Sequence, residues 1–220
     1  MTFATRAVPI GMTLIIGLAC MPGSALSQVS GPTCCTRVTG IMTVTIFKIK
    51  VARADVNVDS AAAAKVKSAI GDATKVSSQL SDAVAAAFMT ANHAEATMVF
   101  LRSASAGQFF GGQEDSFTEM VRSGLLPNTA ARKIEEDSKT QLAFVNDDGV
   151  DKGDKLILTL RGDSVTTRFV TAEGIERANF TRVGRFRRTA FLAEYFAPHS
   201  KFRKGIIKSA VESAAAARGD

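Results

Sequence analysis

The chain has 220 residues, of which 46% are hydrophobic and 22% are charged, so length and composition fit one ordinary globular domain and exclude wholesale disorder. A formal net charge of +6 favours contact with anionic ligands or surfaces but does not by itself indicate a function. The sequence has one tyrosine and no tryptophan, whereas 14 phenylalanines supply most of the aromatic volume. We therefore expect aromatic packing that mostly lacks a polar group.

The first 27 residues have the pattern of a secretory signal peptide. Arg6 is their only charged residue, an apolar run over 8–21 follows it, and small residues precede a cleavage site after Ser27. The apolar run is short for a membrane span, which needs about 20 residues. We therefore expect a periplasmic or secreted protein, with lipid anchoring through Cys20 as the alternative.

Residues 28–37 are predicted to be a flexible segment before a domain that spans residues 38–217. Cys34 and Cys35 lie in this segment. Neighbouring cysteines cannot easily adopt normal disulfide geometry, because their Cα atoms are only about 3.8 Å apart. No C-x-x-C spacing is present, and the two histidines lack neighbouring ligands, so we expect neither a metal site nor a cofactor.

Extended and helical segments alternate over the first two thirds of the domain. Dense β-branched residues predict extended chain at its start, and runs of alanine after Asp59 and Ser60 predict helices. Asn128 or Thr129 is the predicted cap of a later helix. The predicted elements in chain order are extended chain over 37–58, helices over 61–70 and 78–89, a strand over 95–101, and helices over 103–123 and 130–145.

The last third of the chain predicts an antiparallel meander. Three short strands are separated by turns at 161–164 and 173–174. The first turn contains Arg-Gly-Asp, which we interpret as turn chemistry and not as an integrin ligand. Strands are predicted over 155–160, 165–171 and 175–181, and helices over 185–196 and 202–216. The fold class is therefore α+β, with an antiparallel β-sheet and helices packed on one face.

The order of these elements resembles the chalcone isomerase-like family. The resemblance rests on the hairpin over 40–58, on the Met-Val-Phe-Leu-Arg-Ser segment at 98–103, on Lys-Gly-Asp at 152–154 with the meander after it, and on Phe-Leu-Ala-Glu-Tyr-Phe at 191–196. It spans residues 38 to 213. It implies the family's fold and either isomerase chemistry on a chalcone or the binding of a fatty-acid carboxylate.

The resemblance also implies positions for the family's functional residues, and this sequence departs from the pattern at each of them. The catalytic arginine position falls on Met42, the threonine on Lys50, the tyrosine on Phe109, the asparagine on Ser116, and a second tyrosine on Asp55. A methionine cannot hold an anion and a phenylalanine cannot donate a proton, so the electrostatic stabilisation of the isomerase reaction is expected to be lost. A shifted register of the first strand, which would bring Arg37 or Arg53 into the cleft, stays open.

We therefore expect an exported, non-catalytic chalcone isomerase-like protein that binds a small apolar or amphipathic ligand such as a fatty acid. The expected ligand-binding residues are Met42, Lys50, Phe109 and Ser116, with Lys50 as a replacement cation or as a solvated residue of a half-buried strand. The alternatives are an isomerase or lyase on an unknown substrate, and an envelope protein that makes membrane or partner contacts.

Basic side chains are concentrated over residues 176–208. We interpret them as solvated helix faces, with weak contact to an anionic membrane as the alternative, and expect no nucleic-acid partner. The protein is expected to be a monomer.

Overall fold

The computed structural model describes residues 36–44 and 49–219, which form one antiparallel sheet whose strand order follows the chain order. The predicted signal peptide, residues 28–35 and residues 45–48 of the predicted extended stretch lie outside the described residues. The strands are β1 (Arg37–Val44), β2 (Ile49–Val58), β3 (His93–Phe100), β4 (Lys155–Arg161), β5 (Ser164–Val170) and β6 (Glu176–Val183).

The helices of the described chain fall into three groups. One pair connects β2 to β3, three helices connect β3 to β4, and one pair follows β6. They are α1 (Ser60–Ile70), α2 (Ser78–Phe88), α3 (Ala106–Arg122), α4 (Asn128–Gln141), α5 (Val145–Asp148), α6 (Arg185–Phe196) and α7 (Arg203–Arg218).

Burial alternates along the central strands. In β2, every second residue from Ala52 to Val58 is buried, and Ala94, Ala96 and Phe100 are buried in β3. Since successive side chains of a strand point to opposite faces, these residues form one apolar face, on which the helices pack. This confirms the predicted α+β fold with helices on one face of an antiparallel sheet.

Small residues let α7 approach β1 closely. Gly40 and Gly205 face each other, and a Cβ added to Gly40 would lie 2.8 Å from the carbonyl oxygen of Phe202. The backbone N–H of Thr39 donates a hydrogen bond of 3.1 Å to the Ser209 hydroxyl. These contacts place β1 against the helix and fix which of its side chains face the protein interior.

Two predicted boundaries of the fourth helix are wrong. Pro127 occupies the cap position of α4, so neither Asn128 nor Thr129 caps it. The predicted helix over 130–145 ends at Gln141, and α5 begins separately at Val145. Leu142 and Val145 are both buried in the same cluster under the sheet, so tertiary packing ends the helix where local propensity would continue it.

Two smaller features concern turns and ends. Arg37, predicted to be the last residue of a flexible segment, is the first residue of β1. Arg161 pairs with Ser164 across a tight turn in which Gly162 has a φ of 58°, which confirms the turn interpretation of the Arg-Gly-Asp tripeptide.

Asp59 connects α1 to the start of β3. Its carboxylate accepts hydrogen bonds from the backbone N–H groups of Ala62 at 2.8 Å, Asn92 at 2.8 Å and His93 at 2.9 Å. Burial acts to raise the pKa of Asp59, but these three donors outweigh it and lower the pKa below its usual value. The residue predicted as a helix cap is thus also a link between two elements.

We expect Asp59→Ala to lower the free energy of unfolding by about 2 kcal/mol at neutral pH, because a cap and two further charge-assisted hydrogen bonds are lost. Since the folded-state pKa of Asp59 is lowered, its contribution is present above the ordinary aspartate pKa and is lost as the pH falls through the folded-state value. Urea unfolding at about pH 7 and about pH 3 should show that the difference in free energy of unfolding between wild type and Asp59→Ala is smaller at the lower pH. Asp72→Ala, at an exposed position after α1, is the control and should have little effect at either pH.

Candidate functional site

A cavity of about 690 Å³ lies between the sheet and the helices α3, α4 and α6. Its volume falls in the range of about 300–1,000 Å³ that is typical of small-molecule sites. Its walls come from all three buried clusters of the described chain, represented by Phe202, Phe109 and Met120. The cavity is therefore the space that these clusters leave between them.

The sequence of α3 helps to explain why this space is not filled. Gly112 lies one helical turn before Ser116, and both residues line the cavity together with Phe109. A Cβ added to Gly112 would meet no heavy atom within 4 Å. Because residues four apart share a face of a helix, a side chain is missing where α3 faces the cavity.

Most of the cavity wall is apolar. The sheet contributes aliphatic, thioether and aromatic side chains, and the helices contribute a second set opposite them. From the sheet these include Met42, Val51, Met98, Phe100, Leu156 and Leu158, and from the helices Phe109, Phe117, Met120, Ile134, Leu142 and Phe191. Such a lining suits a hydrocarbon chain.

Three of the four predicted ligand-binding residues, Met42, Phe109 and Ser116, line this cavity. Phe109 is buried, and its ring centroid lies 5.9 Å from that of Phe100 and 5.1 Å from that of Phe110. Phe109 is thus both a core residue and a wall of the cavity. The structure brings these three residues together, and their contact with a ligand stays a prediction.

The fourth predicted residue, Lys50, is exposed and is not among the residues that line the cavity. Met42 pairs with Ala52, whereas the next residue of β1, Thr43, pairs with Lys50, so the register skips Val51. Such a bulge shifts the alternation of side chains by one residue. Val51 therefore lines the cavity where simple alternation would have placed Lys50.

The register of β1 shows that neither Arg37 nor Arg53 lies in the cavity, so the alternative of a shifted first strand does not apply. Arg37 and Arg53 lie on the opposite side of the sheet and are 71% and 47% exposed. Both face Asp55, at 4.0 Å and 3.3 Å, and Asp55 also accepts a hydrogen bond of 2.8 Å from the Thr39 hydroxyl. Neither arginine lines the cavity of the described chain.

Glu194 on α6 is the acidic group that sequence reasoning missed. Its neighbours in α6 are buried, whereas Glu194 itself is half-buried and lines the cavity. Removal from water raises its pKa to about 7, against the hydrogen bond donated by Ser116 and the positive charge of Lys201, which act to lower it. The available signal was a single acid within the apolar run 191–196.

Basic side chains also border the cavity. Lys201 and Arg102 are exposed, whereas Arg182 and Arg187 are half-buried. Arg187 forms an ion pair with Asp137 of α4. The cavity thus has an apolar body and charged groups of both signs around it, an arrangement that suits an amphipathic molecule.

Tyr195 is a buried polar residue beside the same cavity. Its ring packs against Phe191 and Phe202, with centroid distances of 5.6 Å and 5.7 Å. Its hydroxyl is inaccessible to water and has no hydrogen-bond partner among the described residues. Burial and the nearby charge of Glu194 raise the pKa of Tyr195, so the phenol stays neutral.

We expect Tyr195→Phe to raise the free energy of unfolding by about 1 kcal/mol, because burying a hydroxyl without a partner is unfavourable. The shape of the ring is retained, so no cavity is created. Thermal and urea unfolding measure the difference. A decrease of about 1 kcal/mol or more would instead show that the hydroxyl has a partner, such as a buried water.

The described residues contain no cluster of three or more potential metal ligands. Among the described helices, none is long and apolar enough to cross a membrane.

Comparison with solved structures finds the same architecture elsewhere. The fatty-acid binding protein AtFAP1 of Arabidopsis thaliana superposes with a TM-score of 0.57 and 12% sequence identity, over 83% of this chain and 91% of that chain. At this identity the likeness shows the fold, which is the chalcone isomerase-like fold. No family model matches the sequence, and no curated protein matches it.

Proposed function

We propose that this protein binds a small amphipathic molecule with a hydrocarbon chain, such as a fatty acid, in the cavity between the sheet and helices α3, α4 and α6. The observation that carries the proposal is the cavity of about 690 Å³ with its mostly apolar wall. Burying a hydrocarbon chain there is favourable by roughly 0.8 kcal/mol per methylene group. That the Arabidopsis protein with the same fold is a fatty-acid binding protein supports the same class of ligand.

The charged side chains that line the cavity can contact the polar head group of an amphipathic ligand. Lys201 and Arg102 are exposed at its border and could contact a head group in water, while Glu194 lies further from solvent. Met42, Phe109 and Ser116 are proposed as ligand contacts. Lys50 is not, because it lies outside the cavity.

The protein is proposed to be non-catalytic toward chalcones. Met42 lines the cavity at the position where the resembled family has its catalytic arginine, and a thioether cannot stabilise a developing negative charge. Cyclisation of a chalcone faster than the uncatalysed reaction would contradict this part of the proposal.

Location and assembly are proposed from the sequence. The pattern of the first 27 residues supports export to the periplasm or beyond, and we propose a monomer without a nucleic-acid partner. Several basic residues over 176–208 have partners within the protein, such as Arg203 with Asp82 and Arg188 with the carbonyl oxygen of Ala91. Because these side chains have partners within the protein, we propose at most weak contact with an anionic membrane.

Native mass spectrometry of the protein purified from its own host, followed by titration with dodecanoate and dodecanol, tests the proposal. We expect a co-purifying mass of lipid size or the uptake of one added molecule per chain. Acetate is the control, since it has the head group without the chain. A protein that is free of ligand and ignores both long-chain probes would contradict the proposal.

A further inference from the structure

The polar part of the cavity contains a group that is unusual for a site that receives a carboxylate. Glu194 belongs to α6, where Phe191, Leu192, Ala193, Tyr195 and Phe196 are all buried. Glu194 is half-buried and lines the cavity, so its accessible part faces the cavity. A ligand in the cavity can therefore reach this carboxyl group.

The groups around Glu194 do not neutralise it. Ser116 of α3 and Lys201, in the connection between α6 and α7, both act to lower the pKa of Glu194, Ser116 through its hydroxyl and Lys201 through its charge. Lys201 is exposed, so water screens its charge. Burial is the dominant effect, and it brings the pKa of Glu194 to about 7.

Two arginines near this part of the cavity are paired with acids. Arg187 of α6 is paired with Asp137 of α4, and Arg203 of α7 is paired with Asp82 of α2. The remaining charged residues of the cavity wall are Arg102 before α3, Asp115 of α3 and Arg182 of β6. Among the acidic residues that line the cavity, Asp115 is exposed and Glu194 is half-buried. Glu194 is therefore the poorly hydrated carboxyl group that a ligand carboxylate near Lys201 would contact.

We propose that Glu194 forms part of the head-group site and that the cavity takes a long-chain carboxylate together with one proton, which the ligand carboxylate and Glu194 share. Two carboxylates in one poorly hydrated site cannot both be ionised, so one proton stays with the pair. We place Lys201 and Ser116, which both line the cavity, beside this pair. The inference rests on the proposed function and specifies how the head group is recognised.

Proton uptake predicts how the affinity depends on pH. Below about pH 7 Glu194 is already protonated in the free protein, and the affinity for dodecanoate is constant. Above about pH 7 the proton must come from solution, so the dissociation constant rises about tenfold per pH unit. Dodecanoate is ionised throughout this range, because carboxyl pKa values lie near 4.

Titration of the full chain with dodecanoate between about pH 6 and about pH 8.5 tests the inference, with dodecanol as the uncharged probe. We expect the dissociation constant of dodecanoate to rise above about pH 7 and that of dodecanol to be independent of pH. Glu194→Gln should remove the dependence, whereas Asp115→Asn, an exposed acid on the same cavity, should retain it. Ser116→Ala should move the onset to higher pH, because the hydrogen bond that lowers the pKa of Glu194 is lost.

Three outcomes of the titrations with bound dodecanoate would overturn the inference. They are a dodecanoate affinity that does not change with pH, a slope that persists in Glu194→Gln, and a slope that disappears in Asp115→Asn. If dodecanol binds and dodecanoate does not at any pH, the shared proton is wrong while the proposed function stands. If neither probe binds, the proposed function fails as well.

Discussion

We expect Gly112→Leu to weaken the binding of long-chain ligands at least tenfold and to leave the protein folded and slightly more stable. Gly112 lines the cavity at an exposed position, and a Cβ there meets no heavy atom of the described residues within 4 Å. We therefore expect a leucine side chain to fit without a clash and to take space that the ligand would use. Replacing a glycine inside a helix also raises stability by roughly 0.5–1 kcal/mol, since the unfolded chain loses freedom and helix propensity increases. Binding and stability are therefore expected to change in opposite directions.

The affinity for dodecanoate should fall at least tenfold, measured by titration, while thermal unfolding shifts upward. The matched control is Thr118→Leu, which adds a leucine to an exposed position of the same helix that does not line the cavity. It should leave the affinity unchanged. Unaltered binding in Gly112→Leu would show that the ligand lies elsewhere.

Gly40→Val destabilises the protein strongly, because α7 contacts β1 directly at this glycine. A Cβ at Gly40 would lie 2.8 Å from both the carbonyl oxygen of Phe202 and Cγ1 of Ile206. A backbone oxygen cannot move aside as a flexible side chain can. We expect a loss of about 3 kcal/mol in the free energy of unfolding, at the upper end of the range for overpacked cores.

Urea unfolding measures this loss, and Gly40→Ala is the milder variant should valine prevent folding. Gly205→Ala should destabilise for the same reason, since its Cβ would lie 3.0 Å from the Cα atom of Gly40. Gly107→Ala is the control, because a Cβ there meets nothing within 4 Å. If Gly40→Ala lowers the free energy of unfolding no more than Gly107→Ala does, the close contact between α7 and β1 is not what stabilises β1.

The two glycines act on different properties of the same site. Gly40 holds β1 against α7, and the register of β1 brings Met42 into the cavity. Gly112 leaves the cavity open from the side of α3. One glycine is thus needed for close packing, and the other leaves a space unfilled.

Most of the fold could be predicted from the sequence, because it depends on local patterns. The meander of β4 to β6 follows from short β-branched runs separated by glycine turns, and α6 follows from helical spacing of apolar residues. Asp59 was identifiable as a cap from its residue type and position. The cap of α4 was not, because Pro127 lies one residue before the two candidates.

The candidate site was only partly predictable. The resemblance to a known family predicted Met42, Phe109 and Ser116 as ligand-binding residues, and all three line the cavity in the structure. Lys50 was misplaced because a bulge at Val51 shifts the alternation of β2, and a bulge has no strong signal in a single sequence. Glu194 was overlooked because an acid on a helix is ordinarily solvated.

The fold class, the alternation of strands and helices and the apolar character of the interior could be predicted without coordinates, because these depend on residue type and spacing along the chain. Which side chains share the cavity and how their pKa values shift could be seen only in the folded chain. Those properties depend on packing between α3, α6 and the sheet, which lie far apart in the chain. The withdrawal of Glu194 from water is a product of that packing, and the head-group chemistry proposed for this protein depends on it.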